Sequence, residues 1–385
     1  MDDKIVIFGE GHVGRMVLKN YKGKVAYFID NNEKLYGKNI EGIAIKRVED
    51  FISDKERYKL IIASYSQNIM EQQIVSMGIK NYCLYLSDIH GYYPTDELIF
   101  NPYEDNIMRN VNEINYNENT KSSFMIEAIN REVENLHDKE EMFRHIEIET
   151  INRCNGKCSF CPISAGNDTR EYKYMSDELF QSIINQLAEL NYTGKLALFS
   201  NNEPFLDKNI IKRHKYAREK VPGARIHLFT NGTLLTVEKF KEIIQYLDEL
   251  VIDNYDEELR LIKPCIDIAE YCDQYPELKE KVTIVLRKPN EILSSRGGDA
   301  PNRKDMLRLE NVRCVLPYRQ IIIRPDGKVS LCCCDPLGKN TLGDLKKETL
   351  IEIWKGTSYK KVRESLYGGR KNWEHCVCCD YLGLA

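Results

Sequence analysis

The chain has 385 residues, which is room for two or three domains of about 100–200 residues each. It carries 55 Lys and Arg against 59 Asp and Glu, and the net charge of −4 provides no general attraction for nucleic acid or an anionic membrane surface. The N-terminus lacks a signal-peptide pattern, and the longest apolar runs fall short of the ~18 residues of a transmembrane helix. We therefore expect a cytoplasmic protein with no membrane and no nucleic-acid partner.

The first segment predicts a Rossmann-like domain over residues 1–97. The apolar strand "KIVIF" leads into "GEGHVG", a helical stretch and a second strand that ends in Asp30. Gly9, Gly11 and Gly14 fit the G-x-G-x-x-G pattern that brings a phosphate to a helix N-terminus, and Asp30 is placed to bond a ribose hydroxyl. The alternative is a degenerate domain used only for packing or dimerisation.

The remaining chain predicts three further regions. Residues 98–143 are rich in Asn, Glu and Asp and read as a linker, with one helix in "FMIEAINREVENLHD". Residues 144–310 alternate strands and helices and predict a partial (β/α)6 TIM-type barrel with functional loops at the strand C-termini. Residues 311–385 predict a small α+β extension with a hairpin around Pro-Asp-Gly and a cysteine-rich tail. The fold class is α/β.

Thirteen cysteines in a reducing cytosol favour metal or redox chemistry over disulfides. Cys154, Cys158 and Cys161, spaced C-x3-C-x2-C directly after a strand, can hold three irons of a [4Fe–4S] cluster. The fourth iron would then be open, which is the catalytic arrangement of a metal site. The alternative is a zinc site completed by a remote residue.

This cysteine window resembles the signature of the radical S-adenosylmethionine (SAM) superfamily. The resemblance implies that SAM chelates the open iron and is cleaved to a 5′-deoxyadenosyl radical. "SNNEPFLD" at 200–207 resembles the G-G-E-P motif of that family, which implies that Glu203 contacts the SAM ammonium group. Asn201 and Asn202 stand where two glycines are usual, so Asn202 would lie beside the methionine part of SAM.

Two further residues are candidates for SAM binding. Phe160 occupies the position of the family's aromatic residue near adenine, and the alternative is an aromatic that packs the loop. Arg287 could reach the SAM carboxylate as a fixed cation. A solvated arginine at a strand end is the alternative for that residue.

The C-terminal cysteines resemble the SPASM/twitch extension that binds auxiliary iron–sulfur clusters. The resemblance implies one auxiliary [4Fe–4S] cluster, and its predicted ligands are Cys314, Cys332, Cys376 and Cys379. Because strand side chains alternate, the run of Cys332 to Cys334 leaves the second ligand open. A zinc ribbon is the alternative for this set.

The resemblance implies hydrogen abstraction from a carbinol carbon of a sugar, cyclitol or nucleotide-linked sugar, with flavodoxin or ferredoxin as reductant. The first domain supports this, because "FIDNN…GKNIEGI" resembles the nucleotide-sugar-binding domains of bacterial sugar acyltransferases. Dehydrogenation and epimerisation both stay open. An epimerase needs a hydrogen-atom donor, for which Cys265 and Cys272 are candidates, although free cysteines are commonly buried as small hydrophobes.

Other polar residues are weaker candidates. His145, Arg319 and Asp335 flank the predicted cavity and could assist proton removal from a hydroxyl, but the sequence does not distinguish them from ordinary polar loop residues. Two other functions stay open as alternatives, a radical SAM peptide or protein maturase and a non-catalytic nucleotide sensor that contains a cluster.

Overall fold

The computed structural model describes residues 4–21, 23–64, 67–86, 91–95, 121–139, 141–258, 260–275, 277–278, 281–291, 293–303 and 309–383. These residues form two compact units. One contains the described residues up to 95 together with 121–125, and the other spans 126–383. Most of the predicted linker lies outside the described residues. None of the helices described here is both long and apolar enough to cross a membrane.

The first unit is built on a seven-stranded sheet of order β3-β4-β2-β1-β5-β6-β7. The pairs β1–β2, β1–β5, β2–β4 and β5–β6 are parallel, whereas β3 and β7 are antiparallel edge strands. Its elements are β1 Ile5–Phe8, α1 His12–Asn20, β2 Val25–Asp30, β3 Asn39–Ile40, β4 Ile43–Arg47, β5 Lys59–Ile62, α2 Gln67–Ser76, β6 Tyr82–Leu86 and β7 Gly91–Thr95.

The strands that the sequence predicted in this unit are its central strands. All four residues of β1 are buried, as expected for a short apolar run covered on both faces of a parallel sheet. The strands β3, β4 and β7 were not predicted, because they are short or carry polar and proline residues.

The second unit carries an eight-stranded sheet of order β12-β11-β10-β9-β8-β13-β14-β15. Most of α3 Lys121–His137 belongs to this unit, since only residues 121–125 belong to the first. Its other elements are β8 His145–Ile148, α4 Asp177–Glu189, β9 Lys195–Ala197, α5 Ile210–Lys220, β10 Arg225–Thr230, α6 Val237–Ile243, β11 Glu249–Tyr255, α7 Lys263–Gln274, β12 Val282–Arg287, α8 Leu316–Arg319, β13 Gln320–Ile323, β14 Lys328–Ser330, β15 Thr341–Asp344, α9 Leu350–Lys355 and α10 Thr357–Tyr367.

Six neighbouring strands of this sheet are parallel, and one of them lies outside the region predicted to form the barrel. The span 144–310 contains five of them, β8 to β12. The sixth, β13, lies in the predicted C-terminal extension and pairs in parallel with β8, with Gln320 opposite His145. The hairpin of β13 and β14 around Pro-Asp-Gly is present as predicted. The cysteine-rich extension therefore continues the same sheet.

The two faces of this sheet differ in polarity because side chains alternate along each strand. One set, including Ile146, Leu228 and Ile252, packs in the apolar core with the helices, and we call this side the helix face. The alternate positions point the other way. We call that side the polar face, and it carries His145, Glu147, His227, Asp253, Arg287 and Gln320.

Candidate functional site

The three cysteines of the C-x3-C-x2-C window follow β8 in one loop, and their thiols interact electrostatically with one another. Gly156 lies between them, and a Cβ atom at this position would sit 3.3 Å from the Cys154 Sγ and 3.8 Å from the Cys158 Sγ. The loop also holds Cys154 through a hydrogen bond that the Gly156 N–H donates to its Sγ at 3.3 Å. A glycine thus keeps open the space that the thiols face.

Burial raises the pKa of the Cys154 thiol to about 11 and that of the Cys158 thiol to about 12. Iron must therefore displace the thiol protons when it binds. Among the described residues, no three His, Cys, Asp or Glu side chains are close enough to share a single metal ion. An iron–sulfur cube makes no such demand, because each thiolate binds a different iron. The donor set fits the predicted cluster.

Glu203 anchors the loops beside these cysteines. Its carboxylate accepts hydrogen bonds from the Phe205 and Asn231 backbone N–H groups at 3.0 and 2.9 Å, and from the Thr230 hydroxyl at 2.8 Å. Burial raises the pKa of this carboxyl group, and the three hydrogen bonds act in the opposite direction. Glu203 thereby joins the "NEP" and "TNG" segments, and its predicted contact with the SAM ammonium stays a prediction.

The two asparagines in place of glycines have specific partners. The Asn202 Oδ1 accepts the Ser200 N–H at 2.9 Å, while its Nδ2 is a buried donor without a protein acceptor among the described residues. The Asn201 side chain donates to the Cys333 carbonyl at 3.3 Å, and its Oδ1 accepts from Arg296 at 3.2 Å. An unsatisfied buried donor at residue 202 fits an acceptor such as the SAM carboxylate.

Phe160, within the cysteine loop, and Arg287 both lie near Tyr255. The Phe160 ring is buried and its centroid is 5.9 Å from that of Tyr255. Arg287 donates to Glu291 at 2.6 Å, lies 3.6 Å from Asp253, and interacts electrostatically with Cys158. Both predicted residues therefore border the cluster loop, and their contacts with SAM stay predictions.

Cys265 and Cys272 lie elsewhere. Both are buried on α7 in the apolar core of the helix face, and the Cys265 Sγ packs beneath Gly232. A hydrogen-atom donor must reach the substrate carbon. Their position on the side opposite the polar face therefore argues against the donor role that the sequence left open.

The four predicted auxiliary ligands come together at the end of the chain. The thiols of Cys314, Cys332, Cys376 and Cys379 interact electrostatically with one another. The strand β14 ends at Ser330, so Cys332 to Cys334 form a turn and do not alternate as strand residues. The Cys334 thiol is hydrogen-bonded to those of Cys332 and Cys379, and it is a fifth cysteine at this site.

A buried cation accompanies this cysteine group. Arg370 donates to the Cys379 and Tyr381 carbonyl groups at 2.8 and 2.7 Å, and its Nε lacks a hydrogen-bond partner in the described chain. Its charge interacts with Cys379 and Cys314. A buried guanidinium beside four thiols fits an anionic iron–sulfur cluster, because a buried charge needs a partner of opposite sign.

The glycine motif of the first unit is built as the sequence predicts between β1 and α1. Gly9 has φ +107°, and a Cβ there would lie 2.6 Å from the Ala63 carbonyl oxygen, while a Cβ at Gly14 would overlap the Gly9 oxygen. A Cβ at Gly11 would meet nothing within 4 Å. Asp30 accepts the backbone N–H groups of Glu10 and Asn32 at 2.8 Å. Nucleotide binding by this motif stays a prediction.

The polar face supplies residues that the sequence did not single out, Glu147, Gln320, His227 and Arg296. The Glu147 carboxylate accepts from the Gln320 Nε2 at 2.8 Å and from the Ser200 hydroxyl at 2.6 Å. His145 is on the same face, while Arg319 pairs with Glu132 at 2.5 Å and Asp335 accepts backbone N–H groups of its own turn. The alternation of polar and apolar residues in "HIEIE" was the available signal.

Comparison with known proteins identifies two domains. Residues 148–256 match the model of the radical SAM superfamily, and residues 314–380 match the SPASM iron–sulfur cluster-binding domain. Over 249 residues the chain is 25% identical to the S-adenosyl-L-methionine-dependent 2-deoxy-scyllo-inosamine dehydrogenase of Niallia circulans, which covers 64% of this chain and 96% of that protein. A 91-residue stretch is 36% identical to the Fe-coproporphyrin III synthase of Methanosarcina barkeri (strain Fusaro / DSM 804), covering 24% of this chain and 22% of the synthase.

The fold agrees with these matches. The crystal structure of BtrN in complex with AdoMet and 2-DOIA superposes with a TM-score of 0.54 at 24% identity, covering 63% of this chain and 95% of BtrN. The cysteine loop after β8 lies in the first matched region, and the C-terminal cysteine group lies in the second. The chain therefore carries a radical SAM domain and a SPASM domain. The first implies SAM and a [4Fe–4S] cluster as cofactors, and the second implies auxiliary iron–sulfur clusters.

Proposed function

We propose that this enzyme is a dehydrogenase that oxidises a carbinol carbon of a sugar, cyclitol or nucleotide-linked sugar. The observation that carries the proposal is the polar face between the two cysteine sites. Arg296 donates to the Asn201 Oδ1 and to the Cys333 carbonyl, both at 3.2 Å, and so joins a SAM-motif loop to the turn of the auxiliary site. A substrate on this face would lie between the two sites.

The residues around SAM have defined tasks in this proposal. When bound and reduced, the first cluster supplies the electron that cleaves SAM to a 5′-deoxyadenosyl radical. Glu203 fixes the two loops, Asn202 offers an unused donor, and Phe160 with Tyr255 provides an apolar wall. Their common task is to hold the reacting carbon in position and to exclude water.

The exposed part of the polar face suits a polyol. Phe199 and Phe229 stack with ring centroids 5.2 Å apart, and Phe229 is 39% exposed. An apolar ring face can pack against the C–H face of a cyclitol, while Glu147, Gln320 and Ser200 offer hydrogen bonds to its hydroxyls. Small-molecule sites commonly combine an apolar wall with a few convergent polar groups.

The position of two thiols and the name of one matched relative favour dehydrogenation over epimerisation. Cys265 and Cys272 lie on the helix face, where they do not reach a substrate on the polar face. The matched relative from Niallia circulans is named as a dehydrogenase of an aminocyclitol. An auxiliary cluster can accept the electron that a substrate radical loses on oxidation.

The first unit is proposed to bind a nucleotide or nucleotide-sugar through Gly11 and the N-terminus of α1. The open space at Gly11 supports a close approach of a phosphate, and Gly9 and Gly14 are fixed by backbone packing. A flavodoxin or ferredoxin is the proposed reductant.

The test uses anaerobically reconstituted, dithionite-reduced protein with SAM. Substrates are 2-deoxy-scyllo-inosamine, other free cyclitols and a panel of nucleotide-sugars. We expect one of them to stimulate 5′-deoxyadenosine formation and to yield a carbonyl product two mass units lighter. An epimer of unchanged mass would contradict dehydrogenation. SAM cleavage that no sugar or cyclitol changes would move the substrate class to peptides, and a loaded protein that never cleaves SAM would be a sensor.

A further inference from the structure

A continuous hydrogen-bond network lies on the polar face beneath both cysteine sites. Its centre is Glu147 on β8, whose two carboxylate oxygens accept from the neutral donors Gln320 and Ser200. Ser200 directly precedes the "NNEP" loop. The Gln320 Oε1 accepts the backbone N–H of Cys333 at 3.3 Å. Ser200 thus links Glu147 to the "NNEP" loop, and Gln320 links it to Cys333 in the auxiliary site.

The hydrogen bonds of Glu147 distinguish it from its neighbour Glu149. Glu149 lies two residues further along and binds the guanidinium of Arg170 with both oxygens, at 3.1 and 3.2 Å. Burial raises the pKa of both carboxyl groups to about 7. The Ser200 hydrogen bond and the Arg296 charge oppose this shift at Glu147, and the Arg170 guanidinium opposes it at Glu149. A carboxylate poised near neutral pH is suited to take up and release a proton.

Two imidazoles lie beside this carboxylate. The His145 Nε2 is 3.7 Å from the Glu147 Oε1, and the His145 and His227 ring centroids are 5.2 Å apart. In the strand register Glu147 and His227 both lie opposite Ala197, whose small side chain leaves space between them. The His145 Nε2 and the His227 Nδ1 are buried and have no hydrogen-bond partner in the described structure.

Both imidazoles are neutral at neutral pH, because burial lowers the pKa of His145 and lowers that of His227 to about 3. The charged and titratable groups near Glu147 are His145 on its own strand, His227 on β10, Lys195 on β9 and Arg296 after β12. The neighbouring β13 contributes the uncharged Gln320.

Resting on the dehydrogenase function proposed above, we infer that Glu147, beside the neutral imidazoles of His145 and His227, accepts the substrate hydroxyl proton. With SAM and its cluster bound, the 5′-deoxyadenosyl radical would take the hydrogen atom of the carbinol C–H bond. The O–H proton would then pass to the Glu147 carboxylate. An auxiliary iron–sulfur cluster held by the C-terminal cysteines would accept the remaining electron, and the C=O bond of the product would form.

The first experiment needs no substrate. We expect pH-difference infrared spectra of the cluster-loaded full-length protein, between pH 6 and 8, to contain buried carboxylic acid bands. The Glu147 band should disappear in E147Q and remain in the matched variant E149Q, which removes only the contribution of the carboxylate paired with Arg170. Spectra that E147Q leaves unchanged, or no band that titrates in this range in the wild type, would overturn the inference.

The second experiment uses the alcohol that the wild type oxidises, with deuterium on its carbinol carbon. E147Q should still transfer deuterium into 5′-deoxyadenosine, but ketone formation should fall by roughly 100-fold, as for loss of a general base. H145F and H227F should shift the pH profile of ketone formation, because they change the surroundings of Glu147. H137Q, which replaces a histidine that stacks on Tyr367, should not.

The outcomes separate the two proposals. Unchanged ketone yield and pH profile in E147Q would remove Glu147 as the acceptor and leave the dehydrogenase in place. A wild type that has the Glu147 band but oxidises no alcohol would contradict the dehydrogenase function. The same result would still support proton uptake by Glu147.

Discussion

His214 is a fully buried histidine on α5, away from the polar face. Its Nδ1 lies 2.8 Å from the Ile210 carbonyl oxygen, and its Nε2 is buried without a partner in the described residues. Burial lowers the pKa of His214 to about 4. The folded chain therefore binds this proton more weakly than the unfolded chain, whose histidine pKa is about 6.5.

The lowered His214 pKa contributes to the free energy of unfolding. This contribution is fully present above pH 6.5 and is lost as the pH falls from 6.5 towards 4. Between pH 7 and 4.5 the wild type should lose about 2–3 kcal/mol of unfolding free energy through His214. In His214→Gln this part of the loss should vanish. Urea unfolding of both proteins at the two pH values measures the difference, and equal losses would contradict the assignment.

Two glycines in the motif between β1 and α1 should respond differently to substitution by alanine. Gly14→Ala should destabilise the unit by roughly 2–4 kcal/mol, because the new methyl group would overlap the Gly9 carbonyl oxygen. Gly11→Ala should change stability by less than about 0.5 kcal/mol, because a Cβ there meets nothing within 4 Å.

Thermal unfolding followed by circular dichroism checks this pair, and each variant is the other's control. Titration with a UDP-sugar adds a functional readout. Gly11→Ala should weaken binding while the unit stays folded, since the methyl group would block the backbone approach of a phosphate. Equal melting temperatures for the two variants would contradict the packing argument.

The elements that could be predicted from sequence are those with strong periodicity. The strand β1 and the helix α3 were found because their apolar spacing is unambiguous. The pairing of β13 with β8 could not be found, because it joins Gln320 to His145 across most of the second unit and leaves no local pattern.

The residues of the site divide in the same way. The three cysteines of the loop after β8 carry a spacing that is readable along the chain. The network of Glu147, Gln320 and Ser200 comes from three distant segments, and each residue alone has an ordinary polar side chain. Only the fold brings them together.

At the scale of the molecule, the two cysteine groups should hold their iron independently. The variant C154A/C158A/C161A should lose about four irons per chain and all SAM cleavage, and it should retain the auxiliary cluster. C376A/C379A should lose the auxiliary iron and ketone formation while it still cleaves SAM. Iron and sulfide analysis, with 5′-deoxyadenosine measured alongside, checks both.

Cys83→Ala is the matched control, because it removes a buried thiol from the first unit. It should leave iron content and activity unchanged. Full iron content in either multiple variant would contradict the assignment of its cysteines. Single alanine variants of Cys332, Cys333 and Cys334 would identify the second auxiliary ligand, which we propose to be Cys332.

The position of β13 also bears on how the protein is made. The strand β8 lies between β9 and β13, so one of its edges stays unpaired on the ribosome until residues 320–323 emerge. An exposed strand edge is a template for aggregation. A fragment that stops before Gln320 would keep this edge open, so we expect it to aggregate more readily than a chain that continues through β13.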